Sequence, residues 1–92
     1  MTSGNVRANP AEIRKFTAML KRFNQDLSNN TRVLHGQFNN LGETWQDQQH
    51  QKFAQEFEQL VVVLNKFVQS SESQIPLLNR SAELLEEFNR VH

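Results

Sequence analysis

Ninety-two residues without a cysteine bound the chain to one domain near the size at which a single core becomes marginal, and exclude disulfides, thiolate chemistry and Cys-based metal sites. Ten basic and ten acidic side chains cancel, which removes the general reason to expect nucleic acid or an anionic membrane as partner. MTSGNVRANP at the start lacks the apolar region of a Sec-type signal, and the longest purely apolar run, Leu60 to Leu64, is too short to cross a bilayer, so no membrane insertion is expected.

Residues 1–8 read as a flexible tail. Asn9-Pro10-Ala11-Glu12 then has the form of a helix start. Asn9 can cap, Pro10 fits the first helical position where its missing N–H costs nothing, and Glu12 completes a capping box. From there Ile13, Phe16, Leu20, Phe23, Leu27, Leu34, Phe38 and Leu41 recur at three- and four-residue steps, which predicts one long amphipathic helix over 9–41. Asn30 and Thr31 interrupt the stripe as a polar layer or a tolerated gap, and Gly36 is a weak point that does not end a helix. The ten Asn and ten Gln do not indicate low complexity, because the apolar period persists among them.

Asn39-Asn40-Leu41-Gly42 reads as a stop, with Gly42 suited to the left-handed position after a helix. Residues 42–46 form the expected turn. A second helix follows over 47–75, capped by Thr44 or Asp47, with Phe53, Phe57, Leu60, Leu64, Phe67, Ser71 and Ile75 as its stripe and Leu78, Leu85 and Phe88 continuing it. So short a connection requires two antiparallel helices. Pro76 predicts a kink or break between Gln74 and Leu77. Mirroring the chain about Glu43 places Pro76 opposite Pro10, which makes residues 76–91 a kinked helical extension overhanging the open end of the hairpin.

The apolar surface is wider than one hairpin needs. Leu60 to Leu64 covers over half the helix circumference, and Met19, Val33 and Val68 widen it further. The expected fold class is therefore all-α, an antiparallel helical hairpin that dimerises into a four-helix bundle. The expected core and dimer interface comprises Phe16, Leu20, Phe23, Leu27, Leu34, Phe38, Phe53, Phe57, Leu60, Val62, Leu64 and Phe67. The alternative is a monomer whose C-terminal segment folds back over the excess. Residues 1–40 carry a balance of +4 and residues 41–92 of −4, an asymmetry that sets orientation more than stability.

The lone Trp45 in the turn, with Phe53, Phe57 and Leu60 behind it and two long helices around it, resembles the WXG100 family of ESAT-6-like proteins over nearly the whole chain. By that resemblance Trp45 is the family tryptophan, Gln46 the variable middle residue, and Asp47 stands where the family glycine belongs. The resemblance implies hairpins that pair as homodimers or as heterodimers with a paralogous chain. It also implies export by type VII (ESX-type) secretion, by a non-Sec route, through an FtsK/SpoIIIE-like ATPase. The family's export signal is a Tyr followed four residues later by an acid, and this chain has no Tyr. Either a partner supplies the signal or the protein stays in the cytoplasm as a structural or adaptor module. Leu84, Leu85 and Phe88 remain as possible C-terminal recognition residues.

Trp45, Asp47 and Gly42 form the turn motif, with Trp45 closing the hairpin end, anchoring a partner, or stacking on a small ligand. His35, His50 and His92 lack the i, i+4 spacing of a helical metal site, and the Glu-x-x-His signature of di-iron bundles is absent. Glu83, Glu86 and Glu87 read as a solvated acidic face, and no nucleophile constellation is present. No catalytic residue, cofactor, metal or small-molecule substrate is expected. Arg14-Lys15 and Lys21-Arg22 stack as a basic strip, which keeps weak nucleic-acid binding as a further alternative.

Overall fold

The computed structural model describes residues 8–91. The expected tail, apart from Ala8, and His92 lie outside them. Two helices make up the structure, α1 (Pro10–Leu41) and α2 (Gln48–Val91). They pack side by side in a rod of 67 × 23 × 15 Å. At 1.5 Å per residue, the 44 residues of α2 account for the whole long axis. The radius of gyration is 20.5 Å, where a compact domain of this length has about 12 Å. The shape therefore contains a seam and no enclosed core.

The start of α1 follows from its first residues. Asn9 is extended, and its side chain accepts the Ala11 amide at 2.9 Å while Pro10 occupies the first helical position. Pairing across the seam is antiparallel: Arg14 meets Glu86, Asn24 meets Ser71 and His35 meets Glu58. On α2 the buried and half-buried positions advance in alternating steps of three and four, from His50 through Phe57, Leu64, Ser71 and Leu78 to Leu85, with Ala54, Val61, Val68, Ile75 and Ala82 between them. That 3.5-residue period is the seam of a left-handed coiled coil.

What fills the seam departs from the sequence reading. Its most buried members on α1 are Thr17, Asn24 and Thr31, one heptad apart, and Ser71 joins them from α2. The hydroxyls of Thr17 and Thr31 bond back to the carbonyls of Ile13 and Leu27 at 2.8 and 2.6 Å, so they are buried without needing a partner across the seam. Asn24, only 1 % exposed, donates its Nδ2 to Ser71 Oγ at 2.8 Å. Thr31, which the stripe skips as a gap, is thus a seam residue.

Three local expectations are corrected. Gly42 is right-handed (φ −63, ψ −16), and no residue among those described has positive φ. A Cβ there would lie 3.3 Å from both the Asn39 carbonyl oxygen and His50 Nε2, so glycine is used for space and not for its left-handed freedom. Secondly, α2 runs unbroken through Pro76. Pro76 is exposed, and so is Glu72, whose carbonyl the proline leaves without its helical donor, so water can satisfy it while Ile75 and Leu78 hold the seam on the other side.

Thirdly, residues 77–86 do not overhang. Ala82 is fully buried, Leu78 and Leu85 are half-buried, and Glu86 is bound by Arg14. The mirror about Glu43 fails because the chain keeps winding after α1. Gly42 and Trp45 donate to the carbonyls of Phe38 and Leu41, and Glu43 to that of Asn40, which carries the chain further along the axis before it reverses.

Candidate interaction surfaces

The two edges of the seam differ in chemistry. Along one edge Arg14 grips Glu86 with Nε and Nη2, each 2.8 Å from a carboxylate oxygen, and His35 bonds Glu58 further toward the turn. The fork from Arg14 holds the Glu86 carboxyl below its ordinary range, and Glu86 in turn raises Arg14. Two shallow grooves along the seam are lined by Ser28, Thr31, Arg32, His35, Val61 and Asn65 and by Asn24, Gln25, Ser28, Asn29, Val68 and Glu72.

The opposite edge is apolar. Phe23 and Phe67 touch edge to face across the seam at 6.2 Å, yet remain 53 % and 47 % exposed. Phe16 lies one heptad before Phe23, and Phe53 and Leu60 lie two and one heptads before Phe67, all exposed. Leu20 and Leu27 are half-buried at its border and Leu34 and Leu41 exposed, each one heptad from the next. Near the turn, Phe38 packs on Phe53 and Phe57 at 5.4 and 4.9 Å, flanking an open apolar groove of about 600 Å³ that also touches Leu34 and Leu41. Leu84 and Phe88 are exposed at the far end of α2, while Leu85 is in the seam.

The sequence-predicted set is thereby divided. Leu20, Leu27, Phe38, Phe57 and Leu64 belong to the hairpin's own seam, whereas Phe16, Phe23, Leu34, Phe53, Leu60 and Phe67 form the apolar edge. Val62 joins neither. It is exposed on the outer side of α2, in register with Gln55, Gln69 and Pro76. The sequence reading missed Thr17, Asn24 and Thr31 because it followed apolar residues alone; their seven-residue spacing was the available signal.

At the turn, Asp47 and not Thr44 caps α2. Its Oδ1 accepts the His50 amide at 2.9 Å, and the Thr44 hydroxyl bonds back to Leu41. The His50 amide, then the Trp45 side chain and the Gln49 amide, hold the Asp47 carboxyl below its ordinary range. Trp45 is half-buried and meets His50 edge to face at 5.1 Å, while the same imidazole stacks on Phe38 at 5.0 Å. Trp45 thus packs on the hairpin end through His50. Of the basic strip, Arg14 is engaged by Glu86, and Lys15 and Arg22 stand exposed one heptad apart.

Among the described residues no group of three His, Asp or Glu side chains could hold a metal, and no helix is long and apolar enough to cross a membrane. No curated protein and no solved structure matches the chain. A family profile does: WXG100, proteins of 100 residues with WXG, over residues 5–90. Members of that family are non-catalytic. With a two-helix antiparallel hairpin, a tryptophan in the turn and a profile match over nearly its whole length, this chain belongs to the WXG100 family.

Proposed function

We propose that this protein works by pairing. Two hairpins bury their apolar edges against one another as a four-helix bundle, and the pair acts as a substrate or partner in type VII-like secretion. The observation that carries this reading is the Phe23–Phe67 edge, where two aromatic rings meet across the seam and about half of each remains in water. Burying such side chains is worth about 1.5–3 kcal/mol each, and residues 77–86, which could otherwise fold back over them, lie in the seam instead. A second copy is the simplest partner, because it brings an identical apolar edge.

In this reading Asp47 takes the place of the family glycine and serves as the cap of α2, so the departure to Trp-Gln-Asp keeps the turn. The lack of any Tyr favours a second reading, an adaptor that remains in the cytoplasm or leaves on a partner's signal. An FtsK/SpoIIIE-like ATPase is the partner the first reading requires. Sedimentation equilibrium at micromolar concentration should give twice the chain mass; a monomer would refute pairing with itself. Affinity capture with mass spectrometry of cells and culture fluid then separates the readings. A paralogous chain would replace the homodimer with a heterodimer, and recovery from cells alone would favour the adaptor.

A further inference from the structure

The imidazole of His50 is the one side chain at the turn whose chemistry neither the fold nor pairing accounts for. It lies between two aromatic rings, stacked on Phe38 at 5.0 Å and 11° and edge-on to Trp45 at 5.1 Å and 76°. Its Nε2 is sealed from solvent against Gly42 and has no hydrogen-bond partner among the described residues. A neutral ring tolerates this position, because an imidazole nitrogen facing aliphatic hydrogen loses only its hydration. A protonated ring does not. Both nitrogens then become donors, and a buried N–H without an acceptor, carrying part of a positive charge, is costly.

We propose that His50 is an acid-sensitive latch on the tryptophan turn: when its ring takes up a proton it leaves the Phe38–Trp45 stack and uncovers to solvent the part of the Trp45 ring that it packs against. Asp47 is the charged group that faces the ring; it lies in the exposed turn, where its carboxylate accepts the His50 amide and the Trp45 side chain. An imidazolium that leaves the stack gains water for both of its N–H groups. The end of α1 that packs against the ring, Phe38 to Leu41, holds no charge, and the other charged turn residue, Glu43, is exposed. On α2 the adjacent Lys52 is exposed as well. Attraction between the cation and the Phe38 face opposes release but leaves the sealed N–H without an acceptor. Histidine side chains ordinarily change charge between about pH 8 and 5, whereas the Asp47 carboxyl is held low and stays ionised through that window. The latch needs no partner chain and does not depend on the pairing reading.

Trp45 is the only tryptophan, so its fluorescence reports the latch without labelling. The full chain is titrated from pH 8 to 5 at two concentrations tenfold apart, with far-UV circular dichroism recorded alongside. The expected result is a red shift of Trp45 emission along a one-proton curve, at constant helicity and with a midpoint that does not move with concentration. His50→Phe keeps an aromatic ring in the stack but cannot titrate, and its emission should stay flat; if that variant loses helicity, His50→Gln serves in its place. A flat wild-type trace would overturn the proposal, and so would the same transition in both proteins. The latter would assign the transition to another group, such as His35.

Discussion

The two edges of the seam run the same length and bring together the same two helices, yet they are built for opposite surroundings. On the polar edge Arg14–Glu86 and His35–Glu58 satisfy one another, and Ser28 and Asn65 line a polar groove beside them. On the apolar edge Phe23–Phe67 and Phe38–Phe53 touch and leave large faces uncovered. The hairpin is asymmetric because the most polar seam positions, Thr17, Asn24, Thr31 and Ser71, lie at its centre while the large side chains stand to one side. A single hairpin therefore holds its helices together through a seam that mixes polar with apolar contacts and leaves several of its large apolar groups facing outward.

Mutations test that division. The largest effect is expected in the seam itself, where Phe57→Ala should destabilise by about 3–5 kcal/mol in a urea melt, since Phe57 is the largest buried apolar side chain. If the loss is below 1 kcal/mol, the hairpin is not held where the structure places it. Phe67→Asp, on the apolar edge, should instead abolish association by sedimentation while a dilute sample keeps its helical circular dichroism. Val62→Asp, on the outer side, should change stability by no more than about 0.5 kcal/mol and leave association intact. Equal behaviour of these two variants would dissolve the distinction between the faces.

Smaller effects sharpen the turn. Gly36→Ala meets nothing within 4 Å and should stabilise α1 by about 1 kcal/mol, the ordinary helical gain. Gly42→Ala has the same right-handed backbone but places its methyl 3.3 Å from His50 Nε2, so it should lose that gain and shift Trp45 emission. The carboxyls of Asp47 and Glu86 are both held low in the folded chain. Their stabilisation is therefore complete above the ordinary carboxylate range and declines as pH falls through about 4 and below. Asp47→Asn retains a capping side chain and should flatten part of that acid limb in thermal melts, with little change at pH 7; an unchanged acid limb would remove Asp47 as a contributor.

Most of the fold was legible in particular residues. Asn9-Pro10 announced the start of α1, the short link around Trp45 required an antiparallel partner, and Trp45 with Phe53, Phe57 and Leu60 pointed to the family that the profile identifies. Pro76 was read too strongly, because a proline on the exposed side of a long helix loses one hydrogen bond to water while the opposite side stays packed. Gly42 was read for its dihedral freedom when it is used for its missing Cβ. The uncovered width of the apolar surface was correctly felt in the sequence, but Val62 was placed in it because five apolar residues in a row do not say which of them face the same way.

The sequence by itself determined that the chain forms two antiparallel helices joined by a tryptophan turn, because caps, period and connection length are local properties. Only the tertiary structure decided how far the helices are displaced along each other, and hence that Asn24 meets Ser71 and Arg14 meets Glu86. That displacement depends on how the turn winds before it reverses, and it selects which column of side chains enters the seam and which is left facing outward. In a coiled coil a small rotation about each helix axis exchanges a threonine column for a phenylalanine column, and no count of apolar residues records the angle.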